Sequence, residues 1–354
     1  MNPTIGVGIV GFGYMGYFHL KRIEAIDNMT LIGVYDIDEN KREQAVNENH
    51  VLAYESFDAL LADKRIGLVV IATPNDSHYP YAMASLAAEK HVLCEKPAMM
   101  TLAQLEEVLA LAEKQQRIFT THQNRRWDRD YSVVKQVVEN RLIGDVWTIC
   151  SETFGQRGVC FGWRADPEKG GGMVYDWGIH LIDQLLMLFP GQRVTGVYAR
   201  LRSILTPAVD DYFEIELDFE GDIVAHIEIG TFALQERPRW FVFGDKGTMK
   251  LDDFSGKKGG IAKIKDNVRG FARVSETSNL GPSRTMAHLE KQDYEDIDLP
   301  EAKDAPLEFY RNLQAAIRGL EDCAVRPEEM LRDMRVIEKV FESNRLKQRL
   351  RVSI

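Results

Sequence analysis

A chain of 354 residues exceeds the size at which one hydrophobic core usually keeps growing, and 45% hydrophobic with 28% charged residues describes folded rather than disordered protein. The formal net charge of -10 argues against nucleic acid or an anionic membrane as partner, and no run approaches the ~18 apolar residues of a bilayer span. With no basic region before the first apolar run, the expected location is the cytoplasm, and Cys94, Cys150, Cys160 and Cys323, in no metal or disulfide spacing, read as reduced thiols.

Ile5 to Val10 is an apolar run of the kind a parallel strand buried on both faces requires. Gly11-Phe12-Gly13-Tyr14-Met15-Gly16 follows and opens a helical pattern to about Ile26. In that setting Gly11 permits a tight turn, Gly13 lets the backbone approach a pyrophosphate, and Gly16 allows close helix-on-strand packing. The helix N-terminus offers free N–H groups to phosphates. A second strand, Leu31 to Tyr35, ends at Asp36, whose carboxylate suits the two ribose hydroxyls and repels a 2′-phosphate. NAD is therefore favoured over NADP, although Lys41 and Arg42 lie within a turn of reaching a phosphate. Helices are predicted over Glu39 to Asn49 and Ser56 to Asp63, then a strand from Ile66 to Thr73. A helix capped by Asp76 or Ser77 runs through Ala88, His91 to Cys94 is a strand, Leu102 to Gln115 a helix and Ile118 to Thr121 a strand. Repeated units of this kind predict a doubly wound parallel sheet with ligands at the carboxyl ends of its strands. The glycine loop, Asp36, Thr73 to Asn75 and Glu95-Lys96-Pro97 all fall there.

The second half changes character. Val146 to Phe154, Val194 to Arg202, Asp211 to Phe219, Ile223 to Phe232, Trp240 to Gly244 and Thr248 to Leu251 read as strands of a largely antiparallel sheet with one covered face. Residues 255–295 lack periodicity and read as a long loop with room for one more strand. Helices resume over Leu307 to Gly319 and Pro327 to Leu346.

Two patterns carry groups able to move a proton. Lys96, before a proline at a strand end, is held extended, and a cis bond there would fix its direction further. Near a cationic oxidised nicotinamide its pKa would fall toward that of a general base; the competing reading is a loop lysine paired with Glu95. Gly170 to Gly172 then lead into a helix from Asp176 to Phe189 that sets Asp176, His180 and Asp183 or Gln184 on one face. By themselves Asp176 and His180 read first as an N-cap and a satisfied core histidine, and a zinc site lacks a third and fourth ligand.

Together these motifs resemble the glucose-fructose oxidoreductase / inositol dehydrogenase / rhizopine-catabolism (Gfo/Idh/MocA) family over nearly the whole chain. The match includes Thr73-Pro74-Asn75 with His78, Trp163-Arg164 and the Phe309-Tyr310-Arg311-Asn312-Leu313 helix. The resemblance implies an α/β architecture: an N-terminal Rossmann domain over residues 1–122 and a substrate-binding and oligomerisation domain over 123–354 with a large, mostly antiparallel open sheet. It implies NAD(P)-dependent oxidation or reduction of a sugar or cyclitol by a homodimer or homotetramer. Lys96, Asp176 and His180 map to the catalytic positions. Cofactor contacts map to Gly11 through Gly16, Asp36, Thr73, Pro74, Asn75, His78, Glu95, Lys96 and Arg164. The segment His122-Gln123-Asn124-Arg125-Arg126-Trp127-Asp128 is similar to that of scyllo-inositol dehydrogenases, several of which use NADP. The resemblance places Asn124, Arg126, Trp127 and Trp163 in the substrate cleft with Lys96, Asp176 and His180; for Arg126 and Trp127 a domain-linking role is the alternative. The implied chemistry is hydride transfer from a ring carbinol, with Lys96 assisted by His180 taking the hydroxyl proton and Asp176 orienting His180 or a neighbouring hydroxyl. Three other outcomes stand beside it: glycoside cleavage through transient oxidation by tightly held NAD, ligand sensing without catalysis, and reduction of an apolar substrate as in dihydrodiol or biliverdin reductases.

Overall fold

A computed structural model describes residues 3–158, 160–266, 268, 276–278, 281–283 and 289–354. Strand and helix alternate through β1 (Ile5–Val10), α1 (Tyr14–Glu24), β2 (Met29–Tyr35), α2 (Glu39–Asn49), α3 (Phe57–Ala62), β3 (Ile66–Ile71), α4 (His78–Ala87), β4 (His91–Cys94), α5 (Leu102–Lys114) and β5 (Phe119–Thr121). The strands pair in parallel in the order β2-β1-β3-β4-β5, and one further parallel bridge joins Val34 to Ala53 beyond β2. Val7, Ile9, Val10, Val69, Val70 and Ile71 are buried whichever way they point, so β1 and β3 read as unbroken apolar runs. The winding reverses between β1 and β3, and a crevice opens at their carboxyl ends.

Asp38, Ser56 and Thr101 cap α2, α3 and α5 through backbone N–H groups. The expected cap of α4 does not form. Residues Asn75–Ser77 make a 3-10 turn that runs straight into the helix, and the Ser77 hydroxyl instead lies 2.7 Å from both Pro74 O and Thr73 Oγ1.

The second half contributes α6 (Arg129–Glu139), β6 (Val146–Phe154), α7 (Ile179–Leu188), β7 (Val194–Arg202), β8 (Tyr212–Phe219), β9 (Ile223–Gly230), β10 (Trp240–Gly244) and β11 (Gly247–Leu251). After these come β12 (Gly259–Ile264), β13 (Glu276–Ser278), β14 (Gly281–Ser283), β15 (Tyr294–Ile297), α8 (Glu308–Ile317), α9 (Pro327–Leu346) and β16 (Leu350–Arg351). Nine strands form one sheet, β15-β12-β11-β10-β6-β9-β8-β7-β16, antiparallel except for the central β6-β9 pair. In β8, Phe213, Ile215, Leu217 and Phe219 are buried while Glu214, Glu216 and Asp218 face outward. Residues 255–295 hold more strand than the single one expected. β12 and β15 extend the large sheet and β13 pairs with β14. The glycines, lysine and acidic residues that hide β12 and β15 from a periodicity reading are what outer strands use to discourage further pairing.

The C-terminal helices return to the first sheet. Leu102 N donates to Glu338 on α9 (3.0 Å), and Thr120 Oγ1 donates to Val325 O (3.1 Å) just before that helix. The two halves therefore share a packed seam, with the crevice along one side of it.

Candidate functional site

The crevice is a cleft of about 1070 Å³ lined from the glycine loop and Asp36 at one end to Lys96, Asp176 and His180 at the other. At the first end the three glycines differ in what they do. Gly11 has φ +87°, and a Cβ there would stand 2.5 Å from Ala72 O; a Cβ on Gly16 would stand 2.1 Å from Gly11 O. A Cβ on Gly13 would meet nothing within 4 Å, so protein packing does not demand glycine there. The bare backbone instead leaves space over the start of α1, which has no side-chain cap. Uncapped N–H groups beneath open space fit a pyrophosphate. Asp36 Oδ2 accepts from Phe12 N (2.7 Å) and Oδ1 from Asp38 N (2.9 Å), so the carboxylate also ties the glycine loop to the end of β2. Arg42 is tied to the backbone carbonyl of Asp36 at 2.8 Å, whereas Lys41 lines the cleft.

At the other end Lys96 follows β4, through a cis bond to Pro97, and reaches across the seam. Its Nζ donates to Asp176 O (2.5 Å) and to Asp176 Oδ1 (2.7 Å), with the two side chains 15% and 21% exposed. Two of three ammonium protons are thereby committed, leaving one for the cleft. Arg164 Nε lies 3.4 Å from the same carboxylate oxygen, and its guanidinium stacks on Trp163. Burial pulls the Asp176 carboxyl up, but Lys96 and Arg164 outweigh it and hold it below its ordinary value. His180 is buried, with Nδ1 2.9 Å from Gln123 Oε1. Burial, then the positive charges of Lys96 and Arg125, keep it well below the ordinary imidazole range. It is neutral near pH 7.

Asp176 is not the cap of a regular helix. Val174–Gly178 form a π-helical turn that passes into α7, a widened turn often found at functional sites. The group that receives the entering chain is Asp210, which lies outside any sequence motif: its Oδ2 accepts from Val174 N (2.8 Å) and its backbone carbonyl from Met173 N (2.8 Å). Gly172 has φ +103°, and a Cβ there would stand 2.3 Å from Asp210 Oδ1.

Glu95 lines the cleft, yet its side chain is buried in a hydrogen-bonded ring. One oxygen meets His19 Nε2 (3.0 Å) and His122 Nδ1 (2.8 Å), while Tyr310 OH meets the remaining nitrogen of each histidine at 3.0 and 3.3 Å. Burial raises the Glu95 carboxyl, and the two histidines overcome this and hold it well below the ordinary range. His19, Glu95 and His122 are the one grouping among the described residues with three potential metal-ligand atoms close together. Every ring nitrogen in it already faces a partner, which makes the cluster a brace between α1, β4, β5 and α8.

Several residues assigned to the cleft by motif lie elsewhere. The Phe12 side chain is in the core, and only its N–H reaches Asp36. His78 is fully buried between Pro97 O (2.9 Å) and Thr73 O (3.1 Å), where it braces two loops. Arg126 turns inward to Asp183 (2.5 Å) and Glu329 (2.7 Å), and Trp127 packs edge-on against Phe309. Neither lines the cleft. Arg125 does, stacked 4.0 Å from Trp177. The 3-10 turn over Asn124–Trp127 sends neighbouring side chains in opposite directions, which the sequence pattern does not reveal. Gly13, Tyr14, Met15, Thr73, Pro74, Asn75, Asn124 and Trp163 line the cleft as expected. Asn75 also clasps the two halves by donating to Gly170 O (2.8 Å).

Comparison with known proteins gives a consistent set of likenesses. Residues 5–123 match a family model described as an oxidoreductase family with an NAD-binding Rossmann fold, and residues 131–250 match the GFO/IDH/MocA C-terminal domain. The scyllo-inositol 2-dehydrogenase (NADP(+)) IolW of Bacillus subtilis is 28% identical over 97% of this chain and 95% of its own length. The uncharacterized oxidoreductase YdgJ of Escherichia coli is 34% identical over 70% of this chain and 71% of its own. A crystal structure of an NAD-binding protein from Listeria innocua superposes with a TM-score of 0.94 at 37% identity, covering 99% of this chain and 100% of the other.

Proposed function

Because the chain belongs to the Gfo/Idh/MocA family of oxidoreductases, whose first domain is an NAD-binding Rossmann fold, we propose that it exchanges a hydride between NAD and a ring carbinol of a sugar or cyclitol. The observation that carries this reading is the make-up of the inner cleft. Lys96, Asn124, Arg125, Arg164, Asp176 and His180 offer hydrogen bonds there, while Trp163 and Trp177 offer flat faces. A polyhydroxylated ring needs both, and an apolar substrate would leave the polar groups unpaired.

The glycine loop and Asp36 hold the dinucleotide, and Asp36 favours NAD because its charge opposes a 2′-phosphate. Bound NAD supplies the hydride acceptor, and the protein supplies position and electrostatics. In the reducing direction the uncommitted Lys96 proton goes to the carbonyl oxygen of the substrate. In the oxidising direction the step runs in reverse: the hydroxyl proton passes to the Lys96 amine while neutral His180 accepts a hydrogen bond from the ring. Asp176 holds Lys96 at the seam between the halves.

No helix among the described residues is long and apolar enough to cross a membrane, and we place the enzyme in the cytoplasm. The uncovered face of the large sheet, with Glu214, Glu216 and Arg349 toward one edge and half-exposed Trp147 stacked near Phe243 on its middle strands, is our candidate subunit contact in a homodimer or homotetramer.

The test is a panel of inositols, aldoses and their keto forms with NAD(H) and NADP(H), followed by nicotinamide absorbance. Net NADH formation from a free polyol supports the proposal. Cleavage of a glycoside without net NADH would replace it with glycosidase chemistry.

A further inference from the structure

We infer that Gln123 and Asp333 are positioning residues that decide which nitrogen of His180 carries its proton. The functional side of this inference rests on the proposal that His180 touches the substrate hydroxyl.

Gln123 follows β5 and Asp333 lies on α9, 210 positions apart, and the seam between the halves brings them together. His180 Nδ1 is 2.9 Å from Gln123 Oε1, and Gln123 Nε2 donates to Asp333 Oδ2 at 3.2 Å. Asp333 also lies beside Asp183 of α7, whose charge acts on it. Both carboxyls are buried, and only Asp183 has a cation directly upon it: Arg126 Nε and Nη2 contact it at 2.8 and 2.5 Å. Two touching carboxyls do not both ionise in such a place. Asp183 is the carboxyl that the Arg126 guanidinium holds. Asp333 keeps the proton, since burial and then the charge of Asp183 push it well above the ordinary carboxylate range.

The remaining directions follow from donor and acceptor types. Asp333 Oδ2 accepts from Gln123 Nε2, which leaves the other oxygen of Asp333, with its proton, to face Asp183. The Gln123 amide therefore turns its NH₂ to Asp333 and its oxygen to His180. An amide oxygen only accepts, so Nδ1 of His180 bears the hydrogen. In a neutral imidazole the other nitrogen, Nε2, is then a lone pair. From Arg126 and Asp183 through Asp333 and Gln123, four side chains make His180 a hydrogen-bond acceptor from the ring hydroxyl before any ligand arrives. Arg126 serves the reaction from behind this line.

The test reads the tautomer directly and needs no substrate. Protein labelled with ¹⁵N in its histidine rings is examined by long-range ¹H–¹⁵N NMR, with the His180 signals identified by their loss in His180→Gln. The wild type should show Nδ1 protonated and Nε2 bare. Gln123→Met should release the ring to a mixture or to the opposite tautomer. Asp333→Asn should keep the wild-type pattern, because an amide there donates to Asp183 and accepts from Gln123 as a protonated acid does; Asp333→Leu should lose it. An Nε2-protonated wild type, an unchanged tautomer in Gln123→Met, or the same result for Asp333→Asn as for Asp333→Leu would overturn the inference. With an active substrate, Gln123→Met should lower kcat by roughly tenfold or more, the usual scale for a supporting residue, at unchanged NAD affinity. A shifted tautomer with unchanged kcat would refute the contact between His180 and substrate while leaving the positioning intact.

Discussion

The two ends of the cleft are built from different materials. At the end proposed for the nucleotide, uncapped backbone N–H groups, bare glycines and one carboxylate line the cleft, and all of them come from the first 36 residues. At the reaction end the contacts are made by side chains from distant segments, Lys96 with Asp176 and His180 with Gln123, on both sides of the seam. A backbone cradle tolerates change in the side chains around it, because the main chain still presents its N–H groups. A cluster of buried charges does not. Removing one partner leaves the other unpaired in a poorly solvated place, at about 3–5 kcal/mol for a buried pair. Substitutions at the two ends should therefore separate binding from turnover.

The largest separation is expected at Lys96. Lys96→Ala should leave NAD affinity within roughly tenfold and lower turnover by about 10²–10⁴, the usual share of a general acid or base. His180→Ala should lose less. The double variant should fall short of the product of the two losses, since groups acting on one proton are not additive. Pre-steady-state and steady-state rates with NAD titrations measure all three. Near-normal turnover in Lys96→Ala would remove it from the chemistry.

At the opposite end the glycines separate fold from ligand. Gly13→Ala adds a methyl group where no protein atom lies within 4 Å, so Tm should hold within about 1 °C while NAD binding weakens by roughly tenfold or more, one to three kcal/mol of crowding falling on the ligand. Gly16→Ala should lower Tm in the absence of NAD, because its Cβ meets the Gly11 carbonyl at 2.1 Å. Equal loss of Tm in both variants would mean that Gly13 is structural.

This contrast also explains what the sequence could reveal. The glycine loop, Asp36 and the parallel strands are local patterns, and their strict spacing is the signal. Lys96, Asp176 and His180 were visible as unusual residues in apolar settings, but their mutual contacts depend on a seam that no local pattern encodes. Asp210 and His19 carry no motif, Gln123 and Tyr310 stand in segments that carry the family resemblance but give them no role, and the roles of all four arise from where α1, β4, β5, α7, α8 and α9 meet. Arg125 and Arg126 mark the limit most sharply. The two are adjacent and chemically alike, yet one stacks on Trp177 in the cleft and the other is buried against Asp183. The direction of a short turn separates them.

Asp36 stands between the two kinds of construction, since its carboxylate both holds the loop and faces the cleft. Asp36→Ser should therefore reduce activity with either cofactor, through the weakened loop. The ratio of kcat/KM for NAD to that for NADP should fall by about tenfold or more, because one to several kcal/mol of charge repulsion disappears. An unchanged ratio, or equal use of both cofactors by the wild type, would sink the assignment.

The smallest effect is expected where the chain enters the π-helical turn. Burial raises the Asp210 carboxyl to about 7 against the hydrogen bond it accepts from Val174 N–H. The native state then binds a proton that the unfolded chain has already released, so stability is greatest below about pH 4, falls as pH rises toward 7, and levels off above it. Asp210→Asn keeps an oxygen for the Val174 N–H and removes the titration. Its Tm should change less than the wild-type Tm between pH 5 and 8, and at pH 8 it should be higher by on the order of 2 °C. If the variant is instead less stable at pH 8, the ionised carboxylate is the better partner for the helix N-terminus, and the favourable interaction with the macrodipole there exceeds the cost of burying the charge. Thermal unfolding of both proteins across that pH range decides between the two balances.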